Sequence, residues 1–116
     1  MTMSSDCLFC RIVRREIPAT IVREDEHTLA FRDIDPRAPT HVLVVPKKHV
    51  ASPNEADDAA ALGRLLLVAR EIAKAEGIST SGYRTVINTG GHGGQSVAHL
   101  HVHVIGGRQL SGHGTA

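Results

Sequence analysis

The apolar positions of CLFCRIVRREI (7–17) fall at 8, 9, 12, 13 and 17, a spacing that predicts a short helix stopped by Pro18. The runs TIVRE (20–24) and TLAFRD (28–33) flank the polar turn Asp25-Glu26-His27 and predict a hairpin. Asp35-Pro36-Arg37-Ala38-Pro39 is a loop by its prolines. The unbroken run HVLVV (41–45), rich in β-branched residues and closed by Pro46, predicts a buried strand.

A long helix follows. Ser52 is placed as its N-cap, Pro53 at the first helical position, and Glu55 completes a capping box. Leu62, Leu65, Leu66, Ala69, Ile72 and Ala73 repeat at helical spacing, and Gly77 ends the helix in a left-handed conformation. Leu67 and Val68 widen the apolar stripe beyond one face, which suits burial against a second copy of the chain. Next come a strand over 83–88, a loop over 89–95 holding four glycines, and a long strand over 97–105. The tail, 106–116, has little apolar content and is expected to be mobile. Connections this short exclude most parallel crossovers. The expected class is α+β, with a mainly antiparallel sheet of about five strands, one long helix and one short one.

A length of 116 residues gives one domain, with its core over about 7–109 and a tail over 110–116. Thirteen Lys+Arg against 12 Asp+Glu leave a net charge of +1, which argues against a broad nucleic-acid face. No apolar stretch approaches the ~20 residues that span a bilayer. The opening MTMSSD lacks the apolar core of a signal peptide, so no membrane partner and a cytoplasmic location are expected. Thiols stay reduced there, and Cys7-x-x-Cys10 reads as a metal pair or a redox pair rather than a disulfide. Two buried thiols are the plain alternative.

Eight histidines stand beside only three Phe and Tyr residues, and three of the eight alternate in His99-Leu100-His101-Val102-His103. A regular strand puts these imidazoles on one face and Leu100, Val102 and Val104 in the core on the other. Same-face neighbours are then ~6.6 Å apart. All three cannot converge on one ion that holds its ligands at ~2.1 Å, so they must divide their roles. The glycines just before them suggest an anion-binding nest of backbone N–H groups beside the imidazoles.

These residues resemble the histidine triad (HIT) family, in its Hint-like branch of the purine nucleoside phosphoramidase type. His99 through Ile105 match the family's His-φ-His-φ-His-φ-φ signature. The similarity extends through Phe31-Arg32-Asp33-Ile34, Ala38-Pro39-Thr40-His41, Pro46-Lys47-Lys48-His49, Gly93-Gly94-Gln95-Ser96 and Gly106-Gly107-Arg108-Gln109. It implies the HIT-like fold, and nucleotidyl transfer in which His101 attacks the α-phosphate of a purine nucleotide conjugate of AMP or GMP. A neutral imidazole is a competent nucleophile near pH 7, and a nucleotidyl-histidine can be resolved by water. By the same resemblance His103, Ser96, Asn88 and the N–H groups around Gly94 and Gln95 stabilise the phosphoryl oxygens. His41 would position or polarise the triad, unless it is a buried strand histidine bonded to a carbonyl. Asp33 would take the ribose hydroxyls, unless it only caps a turn. Phe9, Phe31, Ile34 and Leu43 would form the slot for the base, unless they are core, the reading that suits Leu43 best. No magnesium requirement is implied.

Some relatives in the family bind zinc through two cysteines, the histidine of a Pro-x-x-His turn and the first histidine of the triad. Carried over, this implies Cys7, Cys10, His49 and His99 around a structural zinc, with no position left open for water. A homodimer is implied as well. Two other functions compete with the phosphoramidate or adenylate hydrolase: a dinucleoside polyphosphate hydrolase, and a nucleotide-binding regulatory protein with residual catalysis. The intact triad together with Ser96 favours an enzyme, since a pure binder needs no nucleophile.

Overall fold

The computed structural model describes residues 7–112. Five strands form one antiparallel sheet in the order β1-β2-β3-β5-β4: β1 (Ile21–Glu24), β2 (Thr28–Arg32), β3 (Thr40–Pro46), β4 (Tyr83–Val86) and β5 (Val102–Gly106). A short helix, α1 (Leu8–Val13), precedes the sheet, and a long one, α2 (Ala59–Ala75), separates β3 from β4. This is the expected α+β architecture. Among the described residues no helix is long and apolar enough to cross a membrane.

The period-two pattern of the strands splits the sheet into two faces. Ala30, Val42, Val44, Val102 and Val104 pack against Leu65, Val68, Ala69 and Ile72 of α2. On the other face Leu29, Phe31, Leu43 and Val45 pack against Phe9 and Ile12 of α1. Because α1 has only six residues, it covers one end of that face, and the histidines of β3 and β5 occupy the rest.

Four boundaries differ from the expected ones. α1 ends at Val13 rather than near Ile17: Arg15 adopts φ 64°, Glu16 N–H donates to the Arg11 carbonyl at 2.8 Å and Arg15 N–H to the Ile12 carbonyl at 3.0 Å. This is a Schellman stop, hidden in the sequence because an arginine rather than a glycine takes the left-handed position. Ser52 caps only a 3-10 turn, Pro53–Glu55, accepting from Asn54 N–H at 3.1 Å and donating to the Glu55 carboxylate at 2.6 Å. Ala56 then turns extended, and Asp58 caps α2 by accepting from Ala61 N–H at 3.1 Å. Gly77 ends α2 as expected, with φ +76°.

The third and fourth differences lie next to the triad. β5 begins only at Val102, so residues 97–101 are irregular: His99 N–H folds back to the Val97 carbonyl at 2.8 Å, and Leu100 N–H bonds Val50 outside the sheet at 2.7 Å. β4 therefore ends at Val86, which pairs with His103, instead of reaching residue 88. The two-face pattern nevertheless continues through Leu100, which joins Val102 and Val104 in the core on the α2 side. In the tail, Arg84 of β4 holds the Ser111 and Gly112 carbonyls at 3.0 and 2.9 Å, while 113–116 lie outside the described residues.

Candidate active site

His41 on β3 faces Ile105 across the ladder, and Leu43 faces His103, so His41 and His103 are diagonal neighbours on the face away from α2. Their Nε2 and Nδ1 atoms are 2.9 Å apart. The proton positions follow from the donors that surround them. Arg37 N–H, which can only donate, reaches His41 Nδ1 at 3.0 Å. A neutral His41 must then carry its hydrogen on Nε2 and give it to His103 Nδ1. His103 in turn holds its own hydrogen on Nε2, as a donor. Asp33 Oδ2, 3.4 Å from His41 Nε2, favours the same tautomer, while Asp33 Oδ1 accepts from Asp35 N–H at 2.8 Å in a turn.

His101 is fixed in the opposite sense. Its Nδ1 lies 2.6 Å from the His99 carbonyl, which can only accept, so Nδ1 carries the hydrogen and Nε2 keeps its lone pair. Phe9 meets this ring edge to face with centroids 5.0 Å apart, and the His103 ring is also 5.0 Å away. Burial pushes His103 down to about 4, with His101 and His41 adding to the effect, and burial lowers His101 and His41 as well. All three rings are thus neutral at pH 7: a lone pair on His101 stands beside an N–H donor on His103.

In the irregular stretch before β5, His99 stays on the α1 side, its ring 5.9 Å from that of Phe9, but its nitrogens face other partners than those of His101 and His103. Its Nε2 lies 2.9 Å from the Pro46 carbonyl and must donate, which leaves the Nδ1 lone pair aimed at Cys7 Sγ (3.3 Å), Cys10 Sγ (3.5 Å) and His49 Nδ1 (3.2 Å). Cys10 Sγ is 3.2 Å from His49 Nδ1. The four ligand atoms lie within 4.8 Å of one another. Tetrahedral zinc with ligands at ~2.0–2.3 Å would hold them ~3.3–3.8 Å apart, so the donor set and its spacing fit a closed zinc site. Burial, then Cys7, pushes the Cys10 thiol up to about 11, so nearby protein groups alone do not favour its thiolate. Asp33, His41 and His103 form a second close group. There both His41 nitrogens and His103 Nδ1 are taken up by the relay, which makes it a hydrogen-bond chain rather than a ligand set.

The Gly-rich loop differs from its expected role. N–H groups of Gly93, Gly94 and Gln95 turn inward to the Gly90 and Gly91 carbonyls at 3.0–3.2 Å, and Gly90 N–H goes to Gln95 Oε1 at 3.0 Å. These amides form a tight turn, not an anion nest. Gly93 is required there, because a Cβ would come 2.3 Å from the Thr89 carbonyl oxygen. Asn88 Nδ2 holds Gly93 O at 2.8 Å, and Gln95 Nε2 ties the loop to Ala51 O and Val97 O at 2.7 and 3.0 Å. Ser96 is exposed in a groove of about 850 Å³ whose lining includes Cys7, His49, Leu62 and Val97. That groove borders the cysteine cluster, and neither His101 nor His103 lines it. Phe9 and Phe31 are buried under the histidines, with rings in edge contact at 5.4 Å, whereas Ile34 is 98% exposed. The backbone partners of the imidazoles, Arg37 N–H and the Pro46 and His99 carbonyls, had no signal in residue type.

Comparison with known proteins agrees with this geometry. The model of the HIT domain matches residues 14–110. Purine nucleoside phosphoramidase of Escherichia coli K12 is 48% identical over 110 residues, covering 93% of this chain and 92% of that protein. A HIT family hydrolase from Legionella pneumophila Philadelphia 1 superposes with a TM-score of 0.89 at 52% identity, covering 91% and 96% of the two chains. A Zn-bound histidine triad family protein from Mycobacterium smegmatis superposes with a TM-score of 0.83 at 34% identity, covering 90% and 77%.

Proposed function

Since the chain belongs to the histidine triad (HIT) family and is a hydrolase of that family, we propose that it cleaves purine nucleoside phosphoramidates or related adenylates through a nucleotidyl-histidine. The observation that carries this reading is the 2.6 Å contact of His101 Nδ1 with the His99 carbonyl, which leaves Nε2 with a lone pair at neutral pH. His101 Nε2 forms a bond to the α-phosphorus while the bond to the leaving amine breaks, and the amine departs with the electron pair and takes up a proton. Water then displaces His101 and releases the nucleoside monophosphate. The Nε2–H of His103, supported by the relay from Arg37 through His41, donates to the phosphoryl group. Asp33 takes the ribose hydroxyls, and exposed Ile34 closes over a base resting above buried Phe9 and Phe31. Asn88, Gly94 and Gln95 shape the loop that leads into the triad, and Ser96 opens on the neighbouring groove rather than on His101 and His103. Zinc held by Cys7, Cys10, His49 and His99 would fix α1 against the end of the triad without taking part in bond breaking.

Turnover of an adenosine phosphoramidate should exceed that of a diadenosine polyphosphate, and an alkaline quench should trap an adenylyl group on the peptide bearing His101. Hydrolysis of both substrates without any histidine adduct would remove this mechanism.

The same reading includes a homodimer. Leu66 and Leu67 on α2 and Ile87 beyond β4 are 49%, 53% and 39% exposed, and among the described residues β4 is an edge of the sheet. Two copies joined at α2 and β4 would bury these side chains and continue the sheet. Sedimentation at micromolar concentration is expected to show the dimer, and Leu67→Glu to yield monomers. A native chain that sediments only as a monomer would refute it.

A further inference from the structure

Resting on the roles given to His101 and His103, we propose that Arg108 is a positioning residue for the site, acting through Arg37 on the tautomer of His41. Arg108 follows β5 on a turn whose Gly107 adopts φ +99°. A Cβ on Gly107 would come 2.9 Å from Pro39 Cβ, so only glycine lets this turn lie against the loop that leads into β3. From there the Arg108 guanidinium donates to the Arg37 carbonyl at 2.7 Å, and its other arm donates to the Gln109 carbonyl at 3.0 Å. Arg37 is therefore held on both sides of its Cα. Its carbonyl is bonded to Arg108, and its N–H is bonded to His41 Nδ1 at 3.0 Å.

That single N–H decides which way the imidazole chain runs. A ring nitrogen that accepts from it cannot carry a proton, and the partner nitrogen must. If the Arg37 peptide drifts away, His41 can protonate on Nδ1 instead. His41 Nε2 then becomes an acceptor, His103 turns its own N–H back toward His41, and the donor facing the phosphoryl group is lost. Asp33 Oδ2, 3.4 Å from His41 Nε2, and the Asp35–Arg37 ion pair at 3.7 Å hold the native arrangement in part. Removing Arg108 should thus shift the tautomer balance rather than invert it.

The test uses the full chain as purified, with Arg108→Met, which keeps the length and removes the donors, and Arg108→Lys, which keeps a charged donor. Nitrogen-15 NMR of the imidazoles reads the tautomers directly and does not depend on turnover. The native protein should show His41 wholly as the Nε2–H form. Arg108→Met should bring in the Nδ1–H form and lower kcat about three- to tenfold, the effect of one exposed hydrogen bond, with KM changed less than about twofold. Arg108→Lys should restore most of both readouts. An Arg108→Met protein that is less heat-stable yet keeps native His41 nitrogen shifts would overturn the proposal and leave Arg108 as a structural clasp. If no phosphoramidate were turned over, the proposed function would fail while the tautomer readout still decided the part played by Arg108.

Discussion

His101→Ala is expected to lower turnover by about three orders of magnitude or more, because among the described residues no other neutral nitrogen stands free beside the His103 donor to take its place in the proposed attack. The nearest imidazole, His103, has its Nδ1 lone pair engaged by His41 and presents a hydrogen instead. Nucleotide affinity should change little, within about threefold, since Asp33, the base slot and the phosphoryl donors remain. The substitution removes a buried ring that meets Phe9 edge-on, so a stability loss of ~1–3 kcal/mol should accompany it. Circular dichroism and AMP calorimetry on the same sample separate that loss from the chemistry. A variant that binds AMP natively and retains a tenth of native turnover would require a different nucleophile.

The second large effect concerns the cysteine cluster. Purified protein should carry about one zinc per chain, and Cys10→Ser should lower metal content and stability together, by ~3–5 kcal/mol where zinc is far above its dissociation constant. The loss would be large because Cys7, Cys10, His49 and His99 lie at the start of α1, in the turn after β3 and in the segment before β5, so an ion bound there would tie three distant parts of the chain together. Binding must deprotonate thiols, one of which is pushed up to about 11 by burial, so zinc affinity should fall as pH is lowered. Chelation should reduce activity only as far as it loosens the peptide whose carbonyl holds His101. A chelated protein that stays folded and loses all turnover would make the metal catalytic. Elemental analysis finding no zinc, with both thiols freely titratable, would leave a pair of buried thiols.

Part of this architecture is legible in the sequence. Alternation of His99, His101 and His103 with Leu100, Val102 and Val104 assigned the core side correctly, because two-residue periodicity survives the irregular start of β5. Gly77 marked the end of α2, since a left-handed stop suits glycine. Ser52 is a cap but of one 3-10 turn only, and the Glu55 carboxylate meets its hydroxyl rather than its N–H, so the reciprocal box does not form; Asp58 offers a second cap where the continuous apolar stripe begins. The glycines after residue 89 mark a loop, read from the sequence as an anion nest, but composition cannot say whether their N–H groups face a ligand or the loop's own carbonyls, and they face the carbonyls.

The sequence by itself determined the fold class, the two faces of the sheet and the residue types available for chemistry, since these depend on local spacing and side-chain polarity. Only the tertiary structure decided what each imidazole nitrogen does. His41 and His103 are 62 positions apart, and Cys7 and His99 are 92 apart. The proton positions in those contacts are set by backbone groups, Arg37 N–H and the Pro46 and His99 carbonyls, that every residue type carries alike. Residue identity therefore cannot encode them, and chain folding must supply them.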